Sequence, residues 1–198
     1  DVNGDGHDDV IIGGEASYVI FGKATGFSDI ELGSLTLDQG FSITGAGKLV
    51  SGAGDINKDG YADIIIGAPY ADPFGRSSAG TCYVIFGKAT GFNNIDLSSD
   101  LTVTGQGFAI YGAIAGDRVG WSVSGAGDVN GDKYNDIIIG APYADRSSRT
   151  DTGITYVILG KDSGYNNIDL NTLTSDKGFS ITGAYAYELS GWSVSGAG

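Results

Sequence analysis

Hydrophobic and polar positions along the chain fall into short blocks that recur in a constant order. One set is β-branched and ends at glycine: Val10-Ile11-Ile12-Gly13, Ile64-Ile65-Ile66-Gly67 and Ile137-Ile138-Ile139-Gly140. After a turn or loop comes Tyr18-Val19-Ile20-Phe21, Tyr83-Val84-Ile85-Phe86 or Tyr156-Val157-Ile158-Leu159. A connector carrying Ile30-Glu31-Leu32, Ile95-Asp96-Leu97 or Ile168-Asp169-Leu170 leads to a third block, Gly40-Phe41-Ser42-Ile43-Thr44, Gly107-Phe108-Ala109-Ile110-Tyr111 or Gly178-Phe179-Ser180-Ile181-Thr182. The fourth block is Leu49-Val50-Ser51-Gly52-Ala53-Gly54, then 121–127 and 192–198. Short runs of β-branched and aromatic residues between glycine-rich turns predict strands. No stretch shows a useful amphipathic helix or the long apolar run of a membrane span.

Four short strands per repeat predict an all-β chain built as propeller blades or solenoid coils. The near-continuous apolar runs of the middle strands favour four-stranded antiparallel blades packed face to face. The Gly-Ala-Gly ending of the fourth block suits crowded inner strands. The predicted units are a partial blade at 1–47, blades at 48–115 and 116–186, and at 187–198 the first strand of a next or neighbouring blade. That makes about three blade-equivalents with open ends, too few to close a ring of four to eight. The first unit is trimmed: Gly13-Gly14-Glu15-Ala16 stands where the second has a longer loop after Gly67, and its link to the fourth block, Ala46-Gly47-Lys48, is short against 113–120 and 184–191. Both ends fall at the same point of the repeat, as in a fragment or a processed repeat unit.

The polar residues with the strictest phase lie between the fourth block and the β-branched run. Asp128, Asn130, Asp132 and Asp136 occupy positions 1, 3, 5 and 9 of one loop. Asp55, Asn57, Asp59 and Asp63 repeat the spacing, as do Asp1, Asn3, Asp5 and Asp9. Four oxygen-bearing side chains within nine residues repel one another unless a cation joins them, and oxygen donors at alternate positions suit Ca²⁺. The carbonyls of His7, Tyr61 and Tyr134 are the expected fifth ligands, with one ion per loop and up to three in all. Gly6 and Gly60 hold position 6, where a sharp turn favours positive φ; Lys133 replaces glycine there, which makes its loop the weakest expected binder. Position 12 is an isoleucine inside a strand, not the bidentate Glu of a helix–loop–helix site.

The net charge of −13 changes the picture only when it is located: nine of the 24 acidic residues are the loop aspartates. Three dications would cancel about half of the net charge, and the remaining acidity argues against a nucleic-acid partner. Cys82, the single cysteine, alternates with strand residues and is expected as a packed thiol; His7, the single histidine, is expected to face solvent. No Ser–His or Cys–His pair and no carboxylate pair outside the loops calls for acid–base work, so the chain is expected not to be an enzyme. Asp72 and Asp145 are expected as solvated loop residues. Trp121 and Trp192, which begin apolar strands, are expected in the blade core.

The run Gly120-Trp121-Ser122-Val123-Ser124-Gly125-Ala126-Gly127-Asp128, followed by Asp136-Ile137-Ile138-Ile139-Gly140-Ala141-Pro142, resembles the FG-GAP repeat of integrin α-subunit β-propellers and of bacterial surface and secreted proteins. Asp63 through Gly67-Ala68-Pro69 carries the same likeness in the preceding unit, and the likeness extends along the whole chain. It departs at Val119 and Ser190, where the family has Phe, and at Gly13-Gly14-Glu15, which lacks Ala-Pro. The resemblance implies a propeller, usually of seven blades, with the Asp/Asn loops as Ca²⁺ sites on one face.

These features together predict a calcium-stabilised, extracellular or cell-surface framework for adhesion or assembly. Extracellular calcium modules bind at roughly 10⁻⁴–10⁻³ M. The expected partners are other blades of a longer chain or other copies of itself, 192–198 of one copy pairing with the open first blade of the next by strand addition. A protein or glycan ligand is compatible; nucleic acid and membrane insertion are not expected. The alternative is a carbohydrate-binding propeller, with Tyr70, Phe74, Tyr143 and the two tryptophans as stacking candidates, or an accessory module of a larger secreted enzyme.

Overall fold

The computed structural model describes residues 1–26, 28–45 and 47–197. Its strands in chain order are β1 (Val10–Ile12), β2 (Ser17–Ile20), β3 (Gly40–Thr44), β4 (Leu49–Gly54), β5 (Asp63–Ala68), β6 (Thr81–Ile85), β7 (Ile95–Asp96), β8 (Gly107–Tyr111), β9 (Ser122–Gly127), β10 (Asp136–Ala141), β11 (Ile154–Ile158), β12 (Ile168–Asp169) and β13 (Gly178–Thr182). One short helix, α1 (Leu101–Thr104), is capped by the Asp100 side chain, which accepts from the Thr102 N–H. The strands form three open sheets, ordered β1-β2-β3-β7, β4-β5-β6-β8-β12 and β9-β10-β11-β13. This is an all-β, partial propeller: three blades side by side, without closure.

Within each sheet the longer strands pair antiparallel with their neighbours in chain order, as in a meander, and the two-residue β7 and β12 add at an edge in parallel. Register is set by the apolar pattern: Ile65 faces Val84 and Ile138 faces Val157 at the same place in successive blades. β5 is buried on both faces, and its alternate side chains enter different cores. Ile64 and Ile66 join Val19, Phe41, Ile43 and Ile85 between the first two sheets. Ile65 joins Cys82, Val84, Phe108, Ile137 and Ile139 between the second and third. Cys82 is therefore a packed thiol, and burial raises its pKa.

The inner strands are bulged where they meet the Asp loops. Pairing runs Gly52 with Ile64, then Gly54 with Asp63, leaving Ala53 over; Gly125 and Gly127 repeat this with Ile137 and Asp136. The extra residue bends the strand into the loop. Gly54 and Gly127 have φ of 74° and 72°, which a side chain strains. A Cβ on Gly125 would stand 3.2 Å from the Ala53 backbone of the neighbouring blade, so glycine permits the inner strands to touch.

The connectors do more than link strands. β7 leaves the second unit and pairs in parallel with β3 of the first sheet; β12 leaves the third unit and pairs in parallel with β8 of the second. Each arm is pinned by an asparagine side chain. Asn94 Oδ1 accepts from the Ser42 N–H at 3.0 Å, and Asn167 Oδ1 accepts from the Ala109 N–H at 2.8 Å. Phe92 stacks on Phe41 and Tyr165 on Phe108, with centroids 5.0 and 4.8 Å apart. Arg76 adds a two-pronged pair to Asp169, both bonds 2.8 Å, and a bond to the Gly112 carbonyl.

One expectation is corrected. Residues 192–197 run beside β9, with Gly196 against the Gly125 carbonyl, and pair with no strand among the described residues, which leaves the expected strand at 187–198 as it was. Gly198, the last residue of that expected strand, and Ala46, the first of the short link, lie outside the described residues. The tryptophans are not core: Trp121 is half-buried and Trp192 is 50% exposed, because the strand-start position lies at the rim of the blade.

Asp117, in the link before β9, is fully buried. Its Oδ2 and the Tyr156 Oη are buried with no hydrogen-bond partner among the described residues. Burial pushes the Asp117 carboxyl up to about 6; Arg146 draws it down and Asp145 pushes it up again. A raised carboxyl stabilises the fold only while protonated, so its contribution is complete below about 4 and lost as pH rises through about 6. Asp117→Asn is therefore expected to stabilise the chain by about 1–3 kcal/mol near pH 7.5, with little gain near pH 4. Thermal unfolding of both proteins across that range checks it; an equal effect at both ends would refute it.

Candidate metal centre

The second and third Asp loops connect β4 to β5 and β9 to β10, the first leads into β1, and all three adopt one backbone. Positions 4 and 6 carry positive φ throughout: 70° and 86° at Gly4 and Gly6, 60° and 93° at Lys58 and Gly60, 78° and 77° at Gly131 and Lys133. Lys133 thus accepts the conformation glycine supplies elsewhere. Its N–H donates to Asp128 Oδ2 at 2.8 Å, as those of Gly6 and Gly60 donate to Asp1 and Asp55 at 2.8 and 2.9 Å.

The side chains at positions 1, 3 and 5 fold over the loop. In the second loop the Asp59 N–H donates to Asp55 Oδ1 and Asn57 Oδ1 at 3.1 and 3.0 Å, and the Tyr61 N–H donates to Asp59 Oδ1 at 2.9 Å. Asn57 Nδ2 donates to Asp59 Oδ2 at 2.9 Å. The first and third loops repeat these bonds through Asp1, Asn3, Asp5 and His7, and through Asp128, Asn130, Asp132 and Tyr134. The His7 ring, partly exposed, has Nδ1 3.2 Å from Asp5 Oδ1.

Position 9 plays a different part. Asp63 is buried, with Oδ2 accepting from the Ile56 N–H and Oδ1 from the Gly87 N–H, each at 2.9 Å. Asp136 joins Val129 to Gly160, and Asp9 joins Val2 to Gly22, in the same way. One carboxylate so ties the start of the loop to the end of the blade's third strand. Sequence reasoning missed those glycines, although Phe21-Gly22-Lys23, Phe86-Gly87-Lys88 and Leu159-Gly160-Lys161 recur in phase. A Cβ on Gly87 would stand 2.5 Å from the Ala62 carbonyl oxygen, which is why the position is glycine.

The loops are also stitched blade to blade. The Ala62 N–H donates to the Asp1 carbonyl and the Lys88 N–H to the Val2 carbonyl; Asn135 and Lys161 donate likewise to the Asp55 and Ile56 carbonyls. The Tyr165 hydroxyl adds a 2.6 Å bond to the Ile56 carbonyl.

The donor set fits a hard dication. Every side-chain group at positions 1, 3, 5 and 9 offers oxygen, and a carboxylate oxygen that accepts an N–H retains lone pairs. The charges also crowd: burial pushes the Asp63 carboxyl up to about 7, the Gly87 and Ile56 N–H groups pull it down, and the Asp59 and Asp55 charges push it up again. Asp136 is raised by the same causes. Among the described residues no three carboxylate, histidine or cysteine groups close on one point, the loop carboxylates being turned onto backbone N–H groups instead.

At the opposite end of the blades, the Trp121 ring contacts Tyr70, Tyr143 and Trp192 at centroid separations of 6.3, 5.2 and 4.9 Å. Arg118 lies over the Tyr143 ring at 4.1 Å. Tyr70 is 62% exposed and, with Leu49, Pro69, Tyr83 and Trp121, lines an apolar cleft of about 670 Å³. Asp72 and Asp145 are exposed; each accepts one backbone N–H of its own loop, from Ser78 and Asp151. No helix among the described residues is long and apolar enough to cross a membrane.

The FG-GAP repeat matches residues 50–85 and 119–158, and an FG-GAP-like repeat matches residues 1–66. The chain is 33% identical over 172 residues to integrin alpha pat-2 of Caenorhabditis briggsae, an alignment covering 83% of the chain and 13% of that protein. Its counterpart in Caenorhabditis elegans is 30% identical over 207 residues, covering 92% and 16%. A phosphatidylinositol-glycan-specific phospholipase D of Bos taurus is 34% identical over 157 residues, covering 78% and 17%. The chain thus spans less than a fifth of the length of these relatives.

The two kinds of loop aspartate are separable. Asp63→Ala leaves the Ile56 and Gly87 N–H groups buried and unpaired, and is expected to cost about 2–5 kcal/mol even in chelator. Asp59→Ala removes an exposed carboxylate and is expected to cost much less in chelator and more in calcium. Urea unfolding in both conditions tests this; matching losses for the two variants in chelator would refute it.

Proposed function

The chain belongs to the FG-GAP repeat family, and from that premise we propose that it is a non-catalytic, calcium-binding segment of an extracellular or surface β-propeller, serving adhesion or assembly. The observation that carries the reading is the Asp loop, present three times with one backbone, one hydrogen-bond pattern and one place in the blade. The proposed ligands are the side chains of Asp1, Asn3, Asp5 and Asp9, of Asp55, Asn57, Asp59 and Asp63, and of Asp128, Asn130, Asp132 and Asp136. The carbonyls of His7, Tyr61 and Tyr134 complete the three sets. Bound Ca²⁺ would supply charge neutralisation, not reactivity. The residues do the rest: they fix the loop, and the loop fixes the neighbouring blade. The integrin alpha relatives support the adhesion reading, and the phospholipase relative supports use as a module of a longer protein. Units at 1–47, 48–115, 116–186 and 187–198 are proposed as the pieces that calcium holds in step.

Because the ligands meet only in the folded loop, metal affinity adds to folding stability. At about 100 times the dissociation constant one site adds about 2.7 kcal/mol, roughly 5–10 °C in a chain of this size. Chelation is expected to lower the melting temperature by at least that amount, and calcium to restore it better than magnesium. A melting temperature indifferent to chelator would remove the proposal.

Exposed Tyr70 and the cleft beside Trp121 support a second reading, a carbohydrate-binding face opposite the Asp loops. It expects binding on a glycan array that disappears in Tyr70→Ala. Binding untouched by that change, or none, leaves the framework reading alone.

A further inference from the structure

The rim opposite the Asp loops is built from alternating aromatic rings, and one ring is missing from the series. Trp121 and Trp192 stand at the same position of successive units, and Tyr143 sits between them, its ring centroid 5.2 Å from the first and 6.1 Å from the second. Tyr70 is the equivalent of Tyr143 one unit earlier. It meets Trp121 at 6.3 Å, but the other tryptophan position is held by Lys48. The loop on that side is trimmed to Gly13-Gly14-Glu15-Ala16. The place of the absent ring is the apolar cleft of about 670 Å³, with Leu49, Pro69, Tyr70 and Trp121 among its walls. Those walls run from 45 to 121, well inside the chain, and the cleft owes its opening to Lys48 and the short loop.

The charges beside the cleft point to an anion. All four arginines of the chain lie in the loops of this rim. Arg76 is engaged by Asp169 and the Gly112 carbonyl, Arg149 by the Ala184 carbonyl, and the Arg146 charge acts on the buried Asp117. Arg118 is in no ion pair among the described residues. Its guanidinium lies over three rings, 4.1 Å from the Tyr143 centroid, 5.3 Å from that of Tyr70 and 5.8 Å from that of Trp121. Stacking uses the face of a guanidinium and leaves the N–H groups of its edge for an acceptor. The backbone is strained to hold it there: φ is 55°, kept by the Arg118 N–H donating to the Ser78 carbonyl and the Trp121 N–H donating to the Arg118 carbonyl. Nearby acids are committed to their own loops, Asp72 to the Ser78 N–H, Asp145 to that of Asp151 and Glu188 to that of Tyr185. Lys48, in the cleft wall, pairs with a Glu15 that is 95% exposed, a contact that water and salt weaken.

We propose that this cleft binds an acidic glycan: a uronic-acid ring stacks on Tyr70 and Trp121, its carboxylate takes a two-pronged bond from Arg118, and Lys48 meets the next acidic residue of the sugar chain. One face of such a ring presents C–H groups, which pack on the electron-rich face of an aromatic side chain. A planar guanidinium matches a carboxylate with two parallel N–H bonds. β5 and β6, which carry Ala68 and Tyr83 into the cleft, are paired on both sides and give an extended peptide no edge to join.

This assignment rests on the carbohydrate reading of the rim and names its ligand, and the test separates the two. Calorimetry on the whole chain, in calcium, uses a tetrasaccharide of alternating glucuronate and N-acetylglucosamine and the same sugar with its carboxylates reduced to alcohols. The acidic form is expected to bind at least about tenfold more tightly. Arg118→Gln should erase that preference. Lys48→Trp, which puts back the ring that the other units carry, should abolish binding while the melting temperature holds or rises, so that loss of binding is not loss of fold. Equal binding of both sugars would overturn the acidic assignment and leave the carbohydrate reading standing. Binding that Lys48→Trp leaves intact would overturn the cleft as the site. No binding of either sugar would overturn the assignment, and the glycan array then decides the carbohydrate reading. Binding of an acidic peptide in place of any sugar, lost in Arg118→Gln, would overturn it in favour of a protein partner.

Discussion

The structure depends on one carboxylate per loop, buried at Asp63 and Asp136 and partly exposed at Asp9, that is held by backbone N–H groups. Asp9, Asp63 and Asp136 each accept two backbone N–H groups, one from the head of the loop and one from the glycine that ends the third strand. An unpaired buried charge costs several kcal/mol, so these bonds are obligatory. They also fix direction. With the carboxylate in place, the loop must close over itself, the inner strand must bulge, and positions 1 and 2 must aim their carbonyls at the next blade. Within-blade and between-blade register are set by the same few atoms. A dication bound at the loop, as proposed, would relieve the repulsion among carboxylates that the fold has brought together.

Around the knot the packing is one-dimensional. Each blade touches only its neighbours, so stability is close to a sum of blade terms and contact terms. Two contacts of different chemistry work at each junction. At the inner side, glycines bring backbones together and the loops exchange hydrogen bonds. At the outer side, an arm adds two residues of parallel strand, an aromatic stack and, in one case, the Arg76–Asp169 pair. Parallel pairs only two residues long are weak alone; the side-chain amide that takes the neighbouring N–H and the stacked ring keep them in place. The trimmed first blade shows the economy of this plan. It loses a loop and the tyrosine–tryptophan contact, and an exposed Glu15–Lys48 pair at 2.9 Å takes over that rim.

Much of this was legible in the sequence because the repeat states it three times. The Ile-rich strands, the order of elements, the Asp loops and the absence of a following helix are local patterns, each set by residues within about ten positions of one another. The arms were not legible as strands, since Ile95-Asp96 and Ile168-Asp169 gain their partners from a different unit. Their signal was the recurring Asn-Asn before Ile-Asp-Leu, whose amide is a side-chain stand-in for a missing strand. Position 9 also takes two backbone N–H groups, a structural part that spacing alone did not show. The tryptophans failed for a related reason: a residue that opens a strand lies at the rim of the blade, where its ring stays partly in solvent.

The commitment of the carboxylates also bears on the proposed framework reading in physical terms. A catalytic acid or base must keep an orbital free and a pKa near the working pH, in reach of a reacting group. Here the loop carboxylates accept N–H groups of their own backbone, and Asp117, a further raised carboxyl among the described residues, is buried in the link before β9. Asp63, Asp136 and Asp117, being buried, cannot reach a substrate without opening the blade that contains them. What they do well is transmit position: a movement of one loop is passed through the Asp1, Val2, Asp55 and Ile56 carbonyls into the next blade. A stack built this way resists shear along its axis and presents its variable loops, from 69 to 80 and from 142 to 153, at fixed spacing on the far side. Contact with other molecules is then a matter of those loops and of the exposed blade faces, while the acidic end keeps the spacing true.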